Sequence, residues 1–106
     1  MISESDWKKF KKIKEAALER FCSRILKDVE DGLDSEKIDT SHGRYLYIYK
    51  LIENYDKQIG LLFNDHSRSK AVIQLMMLRG EGMVLAEELE SLSAQIIEDT
   101  NPNKYA

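Results

Sequence analysis

The sequence predicts an all-α protein: a helical bundle of about four helices, two long antiparallel ones followed by two shorter ones. Three observations lead there. Apolar residues recur at three- and four-residue steps over two long stretches, which is the helical period. One proline and five glycines in 106 residues leave room for long uninterrupted elements. Strand-like alternation is confined to YLYIY at 45–49, five residues inside a helical stripe of nineteen.

The first helix is expected to begin behind Ser3 or Ser5. Ser3 and Ser5 suit an N-cap, and Asp6 stands three residues after Ser3, the capping-box distance. Trp7, Phe10, Ile13, Ala17, Leu18, Phe21, Cys22, Ile25 and Val29 then fill one half of a helical wheel, and Gly32 is the natural stop. Such a helix has about 26 residues and a length of roughly 39 Å. GLDSEKIDTS at 32–41 is a polar connection, with Asp39, Thr40 or Ser41 placed to cap the second helix. Tyr45, Ile48, Ile52, Tyr55, Ile59, Leu62 and Phe63 carry that helix to about Asn64. Asn64 to Ser67 is a turn, residues 68–79 form a third helix, and Gly80-Glu81-Gly82 breaks it. Residues 83–98 give a fourth helix with Leu85, Leu89, Leu92 and Ile96 on a narrow stripe, interrupted near Ser93. The domain is expected to span 1–98, with 99–106 as a flexible tail.

Composition excludes several classes of function. Sixteen basic and nineteen acidic residues give a net charge of −3, which advertises no polyanion partner. The acidity is C-terminal: residues 81–106 hold one lysine and six acids, whereas the two preceding stretches, 1–31 and 32–80, each carry +1. One cysteine, Cys22, excludes an internal disulfide and any multi-cysteine metal site. Met1 to Asp6 is polar with no apolar run behind it, so a secretory signal is not expected. AVIQLMML at 71–78 is far too short to span a bilayer. The expected setting is the cytoplasm, with a reduced thiol, no membrane partner, no metal and no cofactor.

HGRYLYIYK at 42–50 partly matches an RNA-stacking strand, with Gly43, Tyr45, Tyr47 and Ile48 in the expected order. That motif needs a four-stranded sheet, and no second strand is in view. On a helix, Tyr45 and Tyr49 lie near the centre of the apolar face, which makes them core tyrosines, while Tyr47 points the other way. WKKFKKIK at 7–14 holds five lysines. Lys8, Lys9 and Lys12 point away from the apolar face, and Lys11–Glu15 and Arg24–Asp28 have pairing distance on a helix. The ordinary reading is a solvated helix end; the alternative is nucleic-acid or ribosome contact through Lys8, Lys9 and Lys12.

Asp56 falls among Tyr49, Ile52, Ile59 and Phe63 on the second helix. A carboxylate buried there needs a cation, and Lys14 is the candidate, with Lys11 and Arg79 also available. The rival use of Asp56 is a carboxylate in a ligand-binding or enzymatic pocket. His42 and His66 sit in loops and make a poor metal pair. AVIQLMML is apolar all round the wheel except at Gln74, and a helix of that kind must be covered all round. Ile73, Met76, Met77 and, from the second helix, Tyr47 are therefore the expected interface residues of a homodimer. The function expected is non-catalytic: a small interaction or regulatory protein with a protein partner, and not an enzyme.

Overall fold

The structure, a computed structural model, describes residues 2–104. Helix dominates, and there is no strand among the described residues. Helix α1 spans Glu4–Leu33 and α2 spans Ser41–Phe63. After a 3-10 turn at Arg68–Lys70 come α3 (Ala71–Gly80), α4 (Ala86–Glu90) and α5 (Ala94–Asp99). The expected bundle of two long helices followed by shorter ones is thus present. The single helix expected over 83–98 is two short ones, split where Ser91 ends α4 and the Ser93 side chain caps α5.

Of the cap candidates, Ser3 caps α1 and Thr40 caps α2. Ser3 Oγ accepts from the Asp6 amide at 3.1 Å, and Thr40 Oγ1 accepts from the Gly43 amide at 2.9 Å. Gly32 does not terminate α1 by left-handed geometry; it lies inside the last turn, buried. Its need is space. A Cβ there would stand 2.8 Å from both Ile48 Cδ1 and Tyr47 Cε1. The glycine that does take positive φ is Gly82, at +72°, in the connection after α3.

The long helices run antiparallel as a hairpin. Lys14 meets Asp65, Phe21 meets Phe63 and Tyr55, Asp28 meets Tyr55, and Gly32 meets Tyr47 and Ile48. The core gathers at one end of it. Phe10, Ile13, Ala17, Phe21 and Ile25 of α1 pack with Leu62 and Phe63, with Ala71, Leu75 and Leu78, and with Leu92 and Ile96. α2 contributes only its last two residues to the buried set. The result is a body with a projecting two-helix arm, 52 × 26 × 23 Å, and a radius of gyration of 16.7 Å. A compact chain of this length has about 13 Å.

Polar groups lock the short helices to α1. Asp6 is 3% exposed; its Oδ1 accepts from the Ser93 amide at 3.0 Å and its Oδ2 from the Ser93 hydroxyl at 2.6 Å. The carboxylate expected to complete a capping box thus spans to the far end of the chain. Burial pushes the Asp6 carboxyl up, but Ser93, Ser3 and Lys9 together hold it below the usual aspartate value. Arg20 donates to the Met83 carbonyl at 2.6 Å and to Glu88 Oε2 at 2.7 Å. Arg79 donates to the Ile97 carbonyl and to Thr100 Oγ1, and Thr100 is fully buried. Residues 99 and 100, expected in a flexible tail, therefore belong to the packed body.

Candidate functional site

Lys14 and Asp56 do not form the expected pair. Lys14 is buried, but its ammonium donates to the Asp65 carbonyl at 2.7 Å and lies 3.2 Å from His66 Nδ1. Burial lowers the Lys14 pKa, and the nearby Asp65 carboxylate opposes that only in part. Gln74, also buried, donates to the same Asp65 carbonyl at 2.5 Å, so this turn joins α1, α2 and α3. Asp56 is exposed. The physical reason is that nothing in the chain covers the side of α2 that bears it, so water solvates the carboxylate and no counter-ion is required. Lys11 sits over the Trp7 ring, 5.5 Å from its centroid, and Arg24 reaches Glu81 rather than Asp28.

The same cause moves the tyrosines. Tyr45 and Tyr49, expected in the core, are 59% and 53% exposed, and Ile52 beside them is 48% exposed. They lie on one stripe of α2 at helical spacing: Tyr45, Tyr49, Ile52, Asp56, Ile59, Phe63. A matching stripe on α1 runs Trp7, Lys11, Glu15, Leu18, Cys22, Leu26, Val29, Leu33. Between the stripes lies a shallow groove along the hairpin. Its body end is lined by Trp7, Lys11, Lys14, Leu18, Phe63 and His66, its middle by Cys22, Leu26, Val29, Ile52 and Ile59, and its tip by Leu33, Tyr45 and Tyr49. Helices α3 to α5 pack on the opposite side of α1, where Arg20 and Arg24 point. Leu26 and Leu33 were not singled out by the sequence. The available signal was their spacing with Cys22 and Val29, which continues the α1 stripe.

The expected interface residues divide over separate places. Ile73 and Met77 are exposed on α3, with Met76 half-buried beside them, and Met77 shares a small apolar surface with Leu61 and Leu62. Tyr47 lies roughly 21 Å along α2 from Leu61, packs beside Gly32 and is not among the residues that line the groove. Ala71, Leu75 and Leu78 are buried, so α3 is covered on one side, not all round. The lysines also divide: Lys8 pairs with Glu4 at 3.8 Å, Lys9 donates to the Ser91 carbonyl at 2.8 Å, and Lys12 is exposed.

The groove is lined mainly by apolar side chains, with Lys11, Lys14, Glu15 and His66 at its body end, Asp56 in its middle and Arg44 at its tip. The cleft around Lys14 and His66 has a volume of about 200 Å³ and the one beside Asp56 about 270 Å³. Both fall below the roughly 300–1,000 Å³ of small-molecule sites, whereas the open cleft at the tip beside Tyr45 and Tyr49, about 460 Å³, falls within that range. Among the described residues no group of three or more His, Cys, Asp or Glu is placed to hold a metal ion. No helix among them is long and apolar enough to cross a membrane. Fold and surface define an all-α helical hairpin, buttressed at one end by three short helices and apolar along its open face. No family model matches the chain, and no curated protein or solved structure matches it.

Proposed function

We propose that this chain is a non-catalytic interaction protein of the cytoplasm that works as a homodimer. One observation carries the reading. From Ser41 to Leu61, α2 buries none of its residues, although Tyr45, Leu46, Tyr47, Tyr49 and Ile52 lie in that stretch. A helix this apolar, held by one neighbour along most of its length, leaves a continuous apolar surface of the kind that marks protein contact. The lone thiol of Cys22 suits a reducing compartment. Ile73, Met76, Met77 and Tyr47 remain contact residues in this reading, now as smaller surfaces beside the hairpin groove.

Sedimentation equilibrium over a wide dilution series tests it. The expected mass is twice the 12.3 kDa of the chain. A single species of one chain mass at every concentration would refute the homodimer.

A further inference from the structure

We propose that the cleft at the tip of the hairpin binds a small aromatic carboxylate, with Arg44 holding the carboxylate and Tyr45 and Tyr49 stacking on the ring. This binding role does not depend on the homodimer.

The cleft has a volume of about 460 Å³, which admits a ligand of one or two fused rings. Leu33 of α1 and Ile48 of α2 supply apolar lining, Tyr45 and Tyr49 supply aromatic rings, and Ser41 and Arg44 supply the polar groups. The two tyrosines stand one helical turn apart, with ring centroids separated by 6.4 Å and planes tilted by 56°. Both are exposed, so their faces and edges are open to a planar ligand.

Arg44 sets the charge of that ligand. Its Nη2 donates to the Ser35 carbonyl at 2.8 Å and to the Ile38 carbonyl at 3.0 Å. These bonds tie the guanidinium to the connection between the long helices, so it is in place before a ligand arrives. Its Nε is buried without an acceptor, and Nη1 has none among the described residues. Asp34, Glu36 and Asp39 lie in the same connection, yet neither they nor any other carboxylate among the described residues forms an ion pair with Arg44. A half-buried cation with no counter-ion, beside a cleft with no acid in its lining, favours an anion. A carboxylate suits the donors present, since it can accept from Nη1 and from the Ser41 hydroxyl.

Glu53 limits the ligand to one charged end. It lies roughly 13.5 Å along α2 from Arg44, and the Tyr49 hydroxyl bonds its carboxylate. A second anionic group on the Tyr49 side of the ligand would approach Glu53. The class that fits is a monocarboxylate, its charge at Arg44 and its ring between Tyr45 and Tyr49.

The test is an amide-resolved NMR titration of the full chain with sodium 2-naphthoate. Saturable shifts are expected at Leu33 and over 41–49, with a dissociation constant of about 1 mM or tighter, the range for a ligand of this size. 2-Naphthamide, the same ring without the charge, is expected to bind about tenfold more weakly. Tyr45→Ala is expected to weaken naphthoate binding about threefold or more, and Arg44→Gln about tenfold. Ile73→Ala, on α3, is expected to leave it within about twofold. Arg44→Gln also removes the two bonds to the connection, so the comparison of acid with amide, made on the unaltered chain, tests the charge by itself. Absence of saturable shifts overturns the proposal, whether the chain is a monomer or a dimer. Equal affinity for acid and amide overturns the carboxylate. Shifts centred on Trp7 and His66 instead of the tip overturn the site.

Discussion

Asp6 and Ser93 stand 87 residues apart in sequence and join the first turn of α1 to the cap of α5. Replacing Asp6 by alanine removes two hydrogen bonds to a charged acceptor, each worth about 1.5 kcal/mol net. Ser93 is exposed, so water recovers part of the loss. The expected cost is about 2 kcal/mol, which for a domain of this size lowers Tm by about 10 °C. Asp6→Asn keeps one carbonyl acceptor and is expected to cost about half as much. Thermal unfolding by circular dichroism, at one fixed protein concentration, measures both. The pair itself is isolated by a double-mutant cycle with Ser93→Ala, where about 1 kcal/mol or more of coupling is expected. The pH dependence has a definite sign. The folded Asp6 carboxyl titrates below the usual aspartate value: burial pushes it up, and the Ser93 bonds together with Ser3 and Lys9 outweigh that effect. Its contribution is therefore fully present above the unfolded value, near pH 4, and is lost as pH falls through the lower folded value. The gap between wild type and Asp6→Ala should narrow below that point. Additive single losses, or a gap unchanged between neutral pH and pH 2, would refute the reasoning.

Two further outcomes follow from packing. Gly32→Val places branched carbons against Tyr47 and Ile48 and should cost about 1–3 kcal/mol by forcing α1 and α2 apart; a urea midpoint equal to that of wild type would remove the close approach as the reason for glycine. Arg20→Ala leaves the partly buried Glu88 without its partner and should cost about 1–2 kcal/mol, with faster amide exchange over 83–90 than elsewhere; uniform exchange would show that Arg20 does not hold that segment to α1.

Helices and their caps were legible because they depend on neighbours in the chain. Ser3, Thr40 and Ser93 each satisfy an amide three residues ahead, and all three are among the cap candidates that local spacing offers. The apolar stripes were legible for the same reason. What covers a stripe was not. The wheel places Tyr45, Tyr49 and Asp56 on the apolar face of α2, and from this the sequence suggests core tyrosines and a paired carboxylate. In the structure that side of the helix is open. Periodicity tells which residues share a side, and says nothing about whether another helix lies there.

Lys14 shows the converse. It falls inside the apolar face of α1 and is indeed buried, but its partners are a backbone carbonyl and a histidine of the turn after α2. Asp6 reads locally as a capping residue and turns out to bind Ser93. The sequence by itself determined the all-α class, the two long helices and the interruption near Ser93, since these follow from hydrogen bonds and side-chain spacing within a few residues. Tertiary structure alone decided that the core collects at one end of the hairpin, that one side of α1 receives the short helices, and that the other side stays open. Those outcomes depend on contacts between residues tens of positions apart, whose relative placement no local pattern encodes.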